Sequence, residues 1–534
     1  MPRSTDTAVL KDGADRPLVR CPAGALCGTA RDGIRVFKGI AYALPPAGAN
    51  RWMPPRPHPQ WSGIREAADF GRACPQPPRR RGSIYAGDMA GMGEDCLTLN
   101  VWAPDDAKAM PVLVWLHGGS LIWGGSSEPL YDGMHLASRA VVVVSINYRL
   151  GVFGYLAHPE LSAESADGVS GNYGLLDQIA ALEWVRDNIA SFGGDPDNVT
   201  LAGESAGALS VLYLMCAPRA RGLFHKAIAQ SSYAVSMPEL TQSRFGEEPA
   251  EARGVRLLAA LGARSIAELR SRDSAELAAA ALEAGYMPSG IVDGHVLPRQ
   301  IVETFERGEQ APVPLLAGFN SGEVRSLPFL IPPAPDSAET YEGEIRARYG
   351  DLADRFLALY PSGDMRESML AALRDGLYGW TAGMAAAGQA KAGVPAFLYL
   401  FDHGYPVAAQ AGLHAFHAGE IPYMFGTLDR TPPHWPEIPA TAAERGLSDA
   451  MMDYWASFAA SGVPASAGRP QWPAHAESAF WMRFDEAPKP GTDRFPGACV
   501  LHDEVVRRRR AAGGIPWNWN VGIASPPLPP KSSN

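Results

Sequence analysis

The 534-residue sequence predicts a doubly wound α/β fold, a central mostly parallel sheet with helices on both faces. Three observations carry that prediction: short apolar runs rich in β-branched residues, a helical period between two of them, and one strand–turn–helix passage with a serine at its apex. "PVLVWL" (111–116) and "AVVVVSI" (140–146) are continuous and apolar, which suits strands buried on both faces of a parallel sheet. Leu175, Ile179, Leu182, Val185 and Ile189 then recur at helical spacing, and "GGDP" from Gly193 punctuates the end of that helix. "VTLA" (199–202) is the next strand, and "HKAIAQ" (225–230), "VPLLAG" (313–318) and "AFLYLF" (396–401) continue the alternation. The helix-rich intervals 247–285 and 337–391 read as insertions that cap the strand ends, where open sheets of this kind bind ligands. With no internal repeat and no dividing linker, residues 1–534 read as a single domain, with about 1–20 and 512–534, including the tail "SPPLPPKSSN", expected to be loose termini.

Composition excludes several functions. Apolar residues make up 46% and charged residues 19%, ordinary for a globular protein, and a net charge of -10 argues against a nucleic-acid-binding surface. The N-terminus has no apolar signal core, and the most apolar short run is far too short to span a bilayer, so a soluble, cytoplasmic protein without a membrane span is expected. The six cysteines form no C-x-x-C, no H-E-x-x-H occurs, and no Gly-Lys dipeptide supports a phosphate-binding P-loop. Neither a metal nor an organic cofactor is expected.

The stretch "VTLAGESAGALSVLYLM" (199–215) carries the chemistry. A strand, a sharp turn and a helix would lift Ser205 out of the sheet edge and expose its hydroxyl, as in a G-x-S-x-G nucleophile elbow. A nucleophilic serine also needs a base within hydrogen-bond reach, an acid that orients the base, and N–H donors for the oxyanion. "WLHGGSLIWGG" (115–125) follows a predicted strand directly, and its glycines let successive N–H groups turn towards one point.

"FKGIAYALPPAGANRWMPPRPHPQWSG", "GEDCLTLNVW", "SINYRLGVFGYL", "GNYGLLDQIAALEWVRDNIASFGGDPDNVTLAGESAGA" and "AFHAGEIPYMFG" together resemble successive signature blocks of the type-B carboxylesterases, the group that includes the cholinesterases. The resemblance implies an α/β-hydrolase fold with helical cap insertions and hydrolysis of small-molecule esters through an acyl-enzyme. By position, Ser205 matches the family nucleophile, His417 the general base and Glu323 the acid, although Gly322 and Val324 replace the aspartate and glycine common beside that acid. The oxyanion donors implied are the backbone N–H groups of Gly119, Ser120 and Ala206. Glu204, inside the elbow, reads either as a tuner of local electrostatics or simply as a hydrogen-bonded neighbour of the site, and not as a catalytic group. His417 must be neutral to act, so kcat/KM is expected to rise through an apparent pKa of about 6 to 7.

Cys74 and Cys96 stand where the family commonly has a disulfide, with their redox state open. The loop between them in cholinesterases carries a choline-stacking tryptophan; here it holds Tyr85 and the run Arg79, Arg80 and Arg81, which points to neutral esters. Amides, carbamates and thioesters could be cleaved by the same constellation, and a non-enzymatic cholinesterase-like binding protein is the rival from another class. Oligomeric state is not readable from the sequence.

Overall fold

In the computed structural model, residues 16–475, 480–492, 497–517 and 521–531 are described. The main sheet has eleven strands. Seven neighbours are parallel: Val142–Ile146, Met110–Leu116, Gly194–Glu204, Lys226–Gln230, Leu315–Asn320, Ala396–Phe401 and Phe480–Phe484, in that spatial order. Antiparallel strands flank them, Pro488–Thr492 at one edge and Thr98–Pro104, Ile34–Ala41 and Thr29–Arg31 at the other. The central strands are apolar on both faces because helices cover both, and Val112, Val114, Val142, Val144, Leu201 and Leu315 are fully buried.

After Met110–Leu116 the chain passes to Val142–Ile146 on one side, then through the helix Tyr173–Asn188 to Gly194–Glu204 on the other. Strand order therefore reverses at Met110–Leu116, and the carboxyl ends beside that reversal are where open α/β sheets place their ligands. "WLHGGS" leaves one of these strand ends and the Ser205 turn leaves the next.

Three expectations are corrected by packing. The N-terminal segment is not loose from its sixteenth residue on: Leu18–Cys21 pairs with Gly24–Cys27, which pairs with Ile64–Glu66 in a small second sheet. The C-terminal segment is also held where it is described. Trp517 is fully buried, Arg509 Nη2 donates to Ser525 Oγ at 2.7 Å, and the Leu528 N–H donates to the Arg348 carbonyl at 2.6 Å. A proline-rich tail lacks most of its own backbone donors, so it can lie extended along a helix without forming secondary structure. Residues 1–15, 518–520 and 532–534 lie outside the described residues. Third, the interval 337–391 is only partly a cap: its last helix, Trp380–Lys391, packs on the strands Leu315–Asn320 and Ala396–Phe401 as a sheet-covering helix. The rest, with the helix Ala498–Ala512, builds a satellite core around Tyr341, Tyr349, Phe356 and Leu501.

Candidate active site

Ser205 sits between the strand Gly194–Glu204 and the helix Ala206–Cys216, at φ 55° and ψ -122°. A non-glycine residue in that region is strained and persists only where its surroundings fix it. The Ser205 N–H donates to the Gln230 carbonyl at 2.9 Å, and its own carbonyl accepts from the Leu209 N–H at 2.8 Å. The two elbow glycines are required by close approach. A Cβ on Gly207 would stand 2.1 Å from the Leu116 carbonyl oxygen, and one on Gly203 would stand 2.5 Å from the Gly207 carbonyl carbon.

His417 Nε2 lies 2.8 Å from Ser205 Oγ, and His417 Nδ1 hydrogen-bonds Glu323 Oε2. Glu323 is completely buried, and its other oxygen accepts the Asn320 N–H at 2.8 Å. Ser205 and Glu323 follow the ends of two strands, His417 lies on the loop between the helices Pro406–Gln410 and Ile421–Phe425, and the tertiary fold brings the three side chains together. Gly322 and Val324 do not disturb the acid: Gly322 pairs with Phe416 through an isolated bridge, and its N–H donates to the Ala415 carbonyl at 2.8 Å, which brings the histidine loop to the acid turn.

The oxyanion candidates lie in a backbone suited to the task. Gly119, Ser120 and Leu121 have φ of 109°, 59° and 59°, and such left-handed turns let successive N–H groups converge on an anion. A Cβ on Gly119 would meet the Trp123 carbonyl at 2.2 Å, so the first of these positions also needs glycine for space. Ser120 is exposed, while Ala206 is the first residue of its helix, where the N–H has no acceptor one turn back.

Sequence reading undervalued the carboxylates around His417. Glu204 Oε1 lies 3.2 Å from His417 Nε2, outside hydrogen-bond geometry, and has no other partner among the described residues. Burial raises Glu204, and the His417 imidazolium beside it opposes that rise, so the two titrate as a pair. Glu420, three residues past His417, accepts from Gln230 Nε2 at 3.0 Å and Asn320 Nδ2 at 2.5 Å, and burial raises it to about 6. Burial alone would lower His417, yet Glu204 and Glu323 with Glu420 outweigh it and hold the imidazole up at about 9. The direction is upward, so a pH–rate profile with a midpoint above the expected value of about 6 to 7 is the outcome this arrangement of carboxylates calls for. Glu420 was visible in "FHAGEIP", but only the fold shows that it faces the same histidine.

The chain matches the Carboxylesterase family model over residues 15–497. The chain belongs to the carboxylesterase family. Fumonisin B1 esterase of Sphingopyxis macrogoltabida is 37% identical to it, covering 86% of this chain and 85% of that protein. Para-nitrobenzyl esterase of Bacillus subtilis (strain 168) is 36% identical, covering 86% and 93%. A solved PNB esterase structure overlays with a TM-score of 0.78 at 33% identity, covering 91% of this chain and 99% of that one. The fold is the α/β-hydrolase fold, and the protein is a carboxylic ester hydrolase acting on small ester substrates.

Around the site of this carboxylesterase, Cys74 and Cys96 are both buried free thiols, close enough to hydrogen-bond each other. The Leu150 N–H also donates to Cys74 Sγ at 3.3 Å. The structure thus brings the two cysteines together without joining them. The arginine run divides: Arg79 Nη2 turns to within 3.8 Å of Glu128, while Arg80 and Arg81 are exposed. Tyr85 packs edge-on against Trp435, with ring centroids 6.0 Å apart. Tyr378, in the π-helical turn Asp375–Gly379, lies 5.5 Å from the His417 ring, and its neighbour Leu377 lines an apolar cavity of about 400 Å³ with Phe356, Met369 and Ile523. No helix among the described residues is long and apolar enough to cross a membrane.

Proposed function

We propose that ester hydrolysis runs through a Ser205–His417–Glu323 triad and an acyl-enzyme on Ser205. The 2.8 Å contact between Ser205 Oγ and His417 Nε2 carries the reading, because it puts the base on the proton it must remove. Ser205 Oγ attacks the ester carbonyl as its proton passes to His417 Nε2. Glu323 Oε2 accepts the Nδ1–H, fixes the tautomer and stabilises the imidazolium. The N–H groups of Gly119, Ser120 and Ala206 receive the developing oxyanion, which in a pre-organised site is worth about 2.7–4 kcal/mol per donor. His417 then protonates the leaving alcohol, and a water deprotonated by the same imidazole releases the acid.

The substrates are neutral esters. In the loop between Cys74 and Cys96 the aromatic side chain is Tyr85, which is half-buried against Trp435 with its hydroxyl engaged, and the loop holds no tryptophan, the side chain whose face best attracts a quaternary ammonium. At equal acyl group, kcat/KM for a neutral butyrate ester should exceed that for butyrylcholine; equal or higher efficiency on the choline ester would overturn this preference.

The triad is tested by labelling with an organophosphonate. Ser205 is the expected single site of modification, and Ser205→Ala should lose at least about 10³-fold in kcat while unfolding at an unchanged temperature. Label on another residue, or a Ser205→Ala variant retaining most of its kcat, would overturn the mechanism.

A further inference from the structure

We propose that Tyr85 is a positioning residue for His417, reaching it from a segment that also holds the oxyanion loop. This rests on His417 being the base.

Tyr85 lies 332 residues from His417 in sequence, yet its hydroxyl is 3.0 Å from the His417 carbonyl oxygen and 2.7 Å from Ser326 Oγ. A phenol has one proton, so it cannot donate to both oxygens at once. The carbonyl can only accept; the Ser326 hydroxyl can donate. The consistent arrangement is a chain in which Ser326 donates to Tyr85 and Tyr85 donates to the His417 carbonyl. Burial holds the phenol well above its usual range, so it remains a donor. Ser326 closes the short turn Glu323–Ser326 that begins with the acid. One hydroxyl thus ties the backbone of the base to the turn that carries its orienting carboxylate.

The histidine loop needs such a tie. His414 and Ala418, on either side of His417, have φ of 55° and 65°, left-handed conformations that cost a non-glycine residue about 1–2 kcal/mol each. The Ala415 carbonyl is held by the Gly322 N–H at 2.8 Å and the Phe416 carbonyl by Asn320 Nδ2 at 2.7 Å. Both bonds come from the acid strand and its turn, and both act before His417 in the chain. Tyr85 holds the next carbonyl, that of His417 itself, in the peptide that leads into Ala418.

The same segment grips the other side of the site. Gln76 Nε2 donates to the Gly124 carbonyl at 2.9 Å, the Gly124 N–H donates back to Gln76 Oε1 at 2.9 Å, and Trp123 Nε1 donates to the Pro77 carbonyl at 3.0 Å. Residues 76–85 therefore span from the oxyanion loop to the histidine loop, and Tyr85 fixes the distance between base and oxyanion donors. It touches no reacting atom.

The test is Tyr85→Phe in the full chain, which keeps the ring against Trp435 and removes only the hydroxyl. The variant should lose about tenfold in kcat with KM within about twofold, and phosphonate labelling of Ser205 should slow in parallel. As His417 relaxes away from Glu323, the midpoint of the pH–kcat/KM profile should also move down. Ser326→Ala leaves the Tyr85–His417 bond in place and should cost about twofold or less. A kcat within twofold of the parent overturns the proposal, as does a rise in KM at constant kcat, which would make Tyr85 a substrate contact. His417→Ala, measured alongside, separates the two claims. If His417→Ala stays active, the triad reading fails; if it is inactive while Tyr85→Phe is normal, only the role of Tyr85 fails.

Discussion

The strand ends that carry Ser205 and the helical insertion beyond Tyr378 are packed to different standards. At the strand ends there is no spare volume: a Cβ on Gly207 would stand 2.1 Å from a backbone oxygen of Leu116. Between that insertion and the segments 329–332 and 521–524 an apolar cavity of about 400 Å³ remains open, and Phe329 on its wall, just ahead of the insertion, is 78% exposed. The first region brings Ser205, His417 and the turn Gly119–Leu121 together, and close-packed main chain can hold such groups to within a fraction of an ångström. The second carries no reacting group and tolerates unfilled volume.

The comparison is broken most severely at Gly207. Gly207→Ala has to push Leu116 out of the central sheet, so it should cost about 3 kcal/mol, the upper end for overpacking, and abolish turnover; denaturant unfolding with a normal midpoint would show that the elbow has slack. Similar in size on stability, but without loss of turnover, is the effect of joining Cys74 and Cys96, the thiols at the ends of the loop over the site. Oxidation should stabilise the chain by about 3 kcal/mol if the bond forms without strain, read as a higher Tm lost on adding reductant; mass mapping that finds both thiols free after mild oxidation would exclude it.

The electrostatics of the tight region predict a pH effect. Glu204, Glu323 and Glu420 favour the imidazolium, and His417 must shed that proton before it can accept one from Ser205. Activity is therefore lost as pH falls through a raised midpoint, and kcat/KM should rise with a midpoint above the ordinary value of about 6.5. Glu204→Gln removes one negative charge and should return the midpoint towards that value; an unchanged profile would show that Glu204 does not act on His417. The smallest effect belongs to the cavity beside the insertion. Phe329→Ala should alter stability by no more than about 0.5 kcal/mol and leave hydrolysis of a small ester within about twofold, because the side chain is mostly in water. A loss of several kcal/mol would erase the contrast between the two regions.

How legible each part was follows from how local its signal is. The strand Leu315–Asn320 was readable as "VPLLAG" because burial on both faces leaves a continuous apolar run. The elbow was readable because close approach demands glycine at 203 and 207 whatever lies around them. Glu323 was singled out through the resemblance despite two departures from the family pattern, with its position just after the strand "VPLLAG" as local support. Tyr85 could be seen only as a missing tryptophan; that its hydroxyl meets His417 depends on a contact across 332 residues. The segment 521–531 was expected to be loose because two of its holds, Gly522 N–H on the Tyr349 hydroxyl and Leu528 N–H on the Arg348 carbonyl, use its backbone, which leaves no pattern in side-chain type.

By itself, then, the sequence determined the sheet and the elbow, because periodicity and glycine placement are dictated by neighbours along the chain, while the proposed base and acid were singled out only through the resemblance to the carboxylesterases. Tertiary structure decided the protonation balance of His417. Glu204, Glu323 and Glu420 are separated along the chain, and their fields act together only where folding has buried them around one imidazole and removed the water that would screen them.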